Sequence, residues 1–120
     1  MGTFRHAIQV GDPSGARYVT VEALVDTGAS FTMAPGALLR ELGVAPTRRA
    51  TFELADGRRA VRQMGQTWVR IDGQEAIRLL VFGDEGEPAL LGADTLEGLL
   101  LTVDPVRTRL VPTHGLLMTG

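Results

Sequence analysis

The chain has no cysteine and no lysine, and only two histidines. Without cysteine there are no disulfides, no thiolate-held zinc and no thiol nucleophile. The histidines, His6 and His114, lie near opposite ends. A histidine-based metal site or a Ser-His-Asp triad is therefore not expected, and each ring is read as exposed or structural. Aromatic residues make up 5% of the 120 residues, so a core must be assembled from Leu, Val, Ala and Ile. Neither acids nor bases are in large excess, 14 against 12. The net charge is −2, which offers no electrostatic footprint for nucleic acid or an anionic membrane. All 12 basic residues are arginines, interspersed with acids, and are read as a solvated surface. No apolar run reaches the length of a membrane span, and the opening MGTFRHAIQV lacks the pattern of a signal peptide or a myristoylation site. The expected location is cytoplasmic, with no metal and no cofactor.

What is present is a chain of one-domain length, 44% apolar. Fifteen glycines punctuate it at short intervals, as in a succession of short strands and tight turns. Phe4–Val10 and Arg17–Val25 read as strands joined by the turn GDPSG. In the second strand Val19, Val21 and Ala23 share one face, and Tyr18, Thr20 and Glu22 the other. Pro35–Gly43 reads as a short helix with Leu38, Leu39 and Leu42 on one face and Gly43 just past its end. Ala50–Gly73 reads as a long hairpin turned at Asp56-Gly57, and Asp72-Gly73 is a second turn of the same kind before a strand over Glu75–Gly83. From Glu87 to Pro105 the pattern gives a short apolar strand, a glycine and a short helix, with Asp94 and Glu97 spaced as a capping box. A closing hairpin turned at Asp104-Pro105 follows, and residues 113–120 are expected to be a loose tail. The fold class is mostly β with two short helices, in one domain over residues 1–120.

Most acids sit beside Gly or Pro or on polar strand faces, where they form turns or surface charge. Asp26 differs. It ends the apolar run Ala23-Leu24-Val25 and precedes Thr27-Gly28-Ala29. A carboxylate there should be at least half-buried, which is costly unless it is hydrogen-bonded or paired. Taken alone, Asp-Thr-Gly serves equally as a turn capped by its own Asp. Two further pieces bear on it: an apolar-apolar-Gly element at Leu90-Leu91-Gly92, and the Gly-tipped hairpin between the two.

In that order the pieces EALVDTGASFT, ADGRRAVRQ and ALLGADTLEGLLLTVD resemble the retropepsin-like (retroviral-type) aspartic proteases, over roughly residues 4 to 112. The resemblance implies a single-lobe, closed β barrel acting as a two-fold homodimer on a peptide or protein substrate. A size consideration agrees. The chemistry needs two carboxylates at one site, the chain has one such motif, and the second must come from a copy of itself. In such dyads the two carboxylates share one proton, a general property of aspartic proteases and not something derived from this chain.

The resemblance assigns catalysis to Asp26 and support beneath the site to Thr27 and Gly28. It assigns substrate contacts to Ala29, Ser30 and the flap residues Ala55, Asp56, Gly57 and Arg58. Leu90, Leu91 and Gly92 form the structural motif behind the active site. Many viral members carry an Asp–Arg pair where this chain has Ser30 and Ala93, and this chain's flap tip is less glycine-rich, as in cellular and bacterial relatives. The alternative is a binding or dimerisation module on the same fold with little or no turnover. A third possibility is a monomeric ligand-binding barrel in which Asp26 merely forms a turn.

Overall fold

The structure, a computed structural model, describes residues 3–117. The first two strands, β1 (Phe4–Gly11) and β2 (Tyr18–Val25), form an antiparallel hairpin from Phe4↔Val25 to Gly11↔Tyr18. Alternation sends Ile8, Val10, Ala23 and Val25 inward, all buried. After Asp26 the chain loops into β3 (Thr32–Pro35) and then α1 (Gly36–Glu41). The sequence pattern gave the helix but not β3, a four-residue strand that ends on proline without a turn signal. Gly43 follows the helix at φ +81°, the left-handed conformation expected of a residue in that place.

The long hairpin consists of β4 (Arg48–Glu53) and β5 (Arg59–Ile71), paired from Arg48↔Met64 to Glu53↔Arg59. Asp72 and Gly73, at φ +51° and +84°, then turn β5 into β6 (Gln74–Gly83), as a two-residue hairpin turn requires. Next come the two-residue strand β7 (Leu90–Leu91), helix α2 (Ala93–Gly98), and a small sheet of β8 (Leu101–Asp104) with β9 (Arg109–Pro112). Residues 113–117 carry no regular structure and are exposed; the rest of the expected tail, 118–120, lies outside the described residues.

The main sheet has the order β1-β2-β7-β3-β6-β5-β4, and β1 also pairs with β5 through Gln9↔Arg70 and Val10↔Val69. Within it β7 lies between β2 and β3, parallel to the first and antiparallel to the second. The two apolar elements noted in the sequence, Leu24-Val25 and Leu90-Leu91, are therefore side by side. Leu39, Leu80, Leu91 and Leu99 are buried within the core, each contributing about 2 kcal/mol of burial.

Two expectations need correction. Asp94 and Glu97 form no capping box: the N-cap of α2 is Gly92, no side chain caps the helix, and Asp94 pairs with Arg78 instead. Nor are all the arginines solvated. The side chains of Arg62 and Arg78 are only 13% and 26% exposed. Both sit at strand positions where the alternation turns them toward neighboring elements, and carboxylates meet them there. Among the described residues no helix is long and apolar enough to cross a membrane.

Candidate active site

Asp26 leaves β2 held on both sides by backbone. Its N–H donates to the Leu91 carbonyl at 3.0 Å, continuing the β2–β7 pairing, and its own carbonyl accepts the Ala29 N–H at 3.1 Å. That tight turn points the Gly28 N–H at Oδ1 of the Asp26 carboxylate, 3.0 Å away. The carboxylate is thus half-buried, with one oxygen engaged by its own loop. Turn-former and reactive group are not exclusive descriptions here, because the turn fixes where the carboxylate stands. A Cβ added at Gly28 would stand 3.2 Å from Oδ1, so the missing side chain leaves the approach to Asp26 open.

Behind this loop lies Gly92. A Cβ there would run into the Phe31 carbonyl and come within 2.9 Å of the Ala29 oxygen. Only glycine lets β7 and α2 lie this close to the loop. Two backbone bonds close the gap, Ala93 N–H to the Ala29 carbonyl (2.8 Å) and Asp94 N–H to the Ser30 carbonyl (3.0 Å). At Ser30 and Ala93 themselves the joining bonds are of backbone, and the nearby charge pair is Arg78–Asp94 at 3.2 Å.

Two buried hydroxyls that the sequence pattern passed over complete this support. Thr32 accepts the Gly92 N–H at 3.0 Å and donates to Thr95 at 2.6 Å. Both threonines are fully buried. The available signal was their placement: each is a hydroxyl a few residues after a singled-out glycine, Thr32 after Gly28 and Thr95 after Gly92.

In front of Asp26 opens a cleft of about 950 Å³ between its loop and the β4–β5 hairpin. Its floor includes Asp26, Gly28, Ala29 and Ser30, and Leu90 lines it as well. Its roof includes Phe52, Ala55, Asp56 and Arg58. Phe31 from the floor meets Phe52 from the roof edge to face, ring centers 6.3 Å apart. Of the residues singled out from the sequence, Thr27, Gly57, Leu91 and Gly92 do not line the cleft. Thr27 is exposed on the loop, Leu91 and Gly92 are buried behind it, and Gly57 holds the hairpin tip at φ +85°.

At that tip the Arg58 backbone N–H donates to Asp56 Oδ1 (3.0 Å) and the Arg58 side chain to Oδ2 (2.6 Å), which together hold the Asp56 carboxyl below its usual range. The cleft also includes Arg62, Glu87 and Pro88, which the sequence pattern did not single out. Burial pushes the Glu87 carboxyl up, but the Asp84 backbone N–H and the Arg62 guanidinium outweigh it and hold that carboxyl below the usual range. Among the described residues no group of three or more His, Asp or Glu side chains is placed to hold a metal ion.

The sequence model of the family described as "gag-polyprotein putative aspartyl protease" matches residues 17–98, from the start of β2 through α2. No curated protein sequence matches the chain. Among solved structures, the retroviral protease-like domain of Ddi1 from Leishmania major is similar at 16% identity and a TM-score of 0.61, over 93% of this chain and 89% of that one. The Simian Foamy Virus (mac) protease is similar at 15% identity and a TM-score of 0.55, over 78% of this chain and 91% of that one. At these identities the likeness is one of fold.

Proposed function

The chain belongs to the retroviral-type aspartyl protease family, and on that premise we propose that it is an aspartic endopeptidase working as a homodimer, with one Asp26 from each subunit. The observation that carries this is the Asp26 carboxylate itself: half-buried, oriented by the Gly28 N–H, and set in the floor of a cleft roofed by a hairpin. A module that only binds has no need of an acid in that place.

In the proposed reaction one Asp26 carboxylate takes a proton from a water held between the pair, and the water oxygen adds to the scissile carbonyl carbon. The protonated partner gives its proton to the carbonyl oxygen. As the tetrahedral species breaks down, a proton passes to the departing nitrogen and the carbon–nitrogen bond cleaves. Each proton taken up is returned, and no covalent enzyme intermediate forms. Thr27, exposed next to Asp26, is the residue proposed to meet its counterpart across the two-fold axis. The β4–β5 tip from Ala55 to Arg58 is proposed to fold over bound substrate together with Ala29 and Ser30 of the floor. The β1–β5 pairing supports a closed barrel within each subunit.

Digestion of a peptide library at acidic and neutral pH, read by mass spectrometry beside the Asp26→Asn variant, tests the proposal. Cleavage by the wild type and none by the variant is the expected result. Peptide binding with no cleavage at any pH would instead establish the binding-module alternative.

A further inference from the structure

Arg62 occupies an inward position on β5, between Ala60 and Met64 in the alternation, and its backbone partner across the hairpin is Ala50. That small side chain leaves room for a guanidinium against the cleft wall. One terminal nitrogen of Arg62 reaches both oxygens of Glu87, at 3.2 and 3.1 Å, and an oxygen of Asp84 at 3.2 Å. Glu87 is itself fixed by the Asp84 backbone N–H at 2.7 Å. The Arg62 Nε is buried without a partner, a cost of this position that the contacts of the terminal nitrogen with Glu87 and Asp84 must outweigh.

The acids belong to the segment that runs directly into β7. Two residues past Glu87, the Ala89 carbonyl accepts the Leu24 N–H, and two further on Leu91 accepts that of Asp26. The arm of the roof hairpin is therefore tied at Arg62 to the segment that positions the Asp26 backbone. Beyond Arg62 the hydrogen bonds found are the hairpin's own pairing and the tip bonds, Leu54 to Arg58, Gly57 to Leu54 and Arg58 to Asp56, and the contact with the floor is the uncharged edge-to-face meeting of Phe52 with Phe31.

We infer that Arg62 is a positioning residue, anchored by Glu87 and to a lesser degree by Asp84, that sets the pivot and resting height of the roof hairpin over the cleft. Below Arg62 the arm moves as one body with β7; above it the hairpin opens and closes. The consequence for turnover rests on the proteolytic reading, whereas the tie itself does not. Glu87 is the principal anchor because its side chain is 26% exposed, against 67% for Asp84.

Hydrogen exchange of the full chain, resolved by segment, tests the tie without any activity. In Arg62→Met and in Glu87→Gln, amides of residues 50–61 exchange about tenfold faster or more, the loss expected for a charged hydrogen-bonded contact. The double variant exchanges no faster than the worse single one. Asp84→Asn has a smaller effect, and Arg78→Met, which breaks the other half-buried arginine pair, leaves these amides unchanged. With peptide substrate, Arg62→Met and Glu87→Gln raise KM several-fold while kcat stays within about a factor of three, as expected when closure of the roof is weakened and the chemical step is not. Arg62→Lys, which keeps the charge but not the fork, falls between wild type and Arg62→Met. Should Arg62→Met fail to fold, Glu87→Gln and Arg62→Lys carry the comparison. Unchanged exchange in the hairpin, an equal rise in every strand, or additive effects in the double variant would overturn the inference. A wild type that shows the exchange pattern and cleaves nothing overturns the proteolytic reading and leaves the tie standing; a wild type that cleaves but whose variants show no such pattern overturns the tie alone.

Discussion

Thr32 and Thr95, sixty-three positions apart, meet hydroxyl to hydroxyl at 2.6 Å in the core, and the same Thr32 oxygen receives the Gly92 N–H. One side chain thereby joins β3, the end of β7 and α2 immediately behind the Asp26 loop.

Thr32→Val keeps the shape and removes the hydroxyl, so the Gly92 N–H and the Thr95 hydroxyl lose a partner at a site without solvent. The expected cost is about 1–3 kcal/mol of stability, measured by denaturant unfolding. Thr95→Val leaves the Thr32–Gly92 bond in place and should cost less.

Gly92→Ala places a methyl group against the Phe31 and Ala29 carbonyls. Backbone must move to admit it, and a loss on the order of 1–3 kcal/mol is expected, visible as a lower thermal midpoint. Because the displaced backbone carries Asp26, peptide cleavage should fall by more than the folded fraction does.

Asp26→Asn retains an oxygen able to accept the Gly28 N–H, so the loop and the unfolding midpoint should survive. The proposed proton acceptor is gone, and cleavage should drop by at least about 100-fold. Residual cleavage near the wild-type rate would remove Asp26 from the mechanism.

If each site is completed by a second subunit, specific activity must fall on dilution. Sedimentation velocity and peptide cleavage, followed over the same concentration series, should lose dimer and activity together. Constant specific activity in a sample shown to be monomeric would rule out the two-subunit site.

The Glu87 carboxyl lies below its usual range in the folded protein, with burial outweighed by the Asp84 N–H and Arg62. A group lowered by folding contributes stability above its unfolded pKa, near 4.3 for glutamate, and loses that contribution as pH falls through the lowered folded value. Acid unfolding curves should therefore show Glu87→Gln less stable than wild type near neutrality, with the difference shrinking as pH falls through and below the unfolded value.

Much of the architecture was legible because period-two alternation and Asp-Gly pairs act locally. The strands before Val25, the turn at Asp72-Gly73 and the glycine after α1 all follow from neighbors in the chain. So did the placement of Asp26, since an acid at the end of an apolar strand is conspicuous. The unread features share a different cause. β3 is four residues long and owes its existence to lying between β7 and β6. Thr32 and Thr95 look polar until each is known to face the other. Arg62 resembles any surface arginine, and its partner stands twenty-five positions away. Asp94 sits at a plausible capping spacing, but Arg78 on β6 takes its carboxylate.

The insertion of Leu90-Leu91 between β2 and β3 also orders events in time. Until the chain has been made through this point, β2 and β3 each keep an open edge, and the gap can close only by bringing together segments some sixty-five positions apart, as in Leu24↔Leu90. Such distant closure is slow relative to the local hairpins of β1 with β2 and of β4 with β5. A nascent chain halted before Leu90 would hold two ready hairpins and an Asp26 whose backbone N–H still lacks the Leu91 carbonyl. In the proposed peptidase the reactive loop is thus completed only after β7 has been made and has closed the gap between β2 and β3.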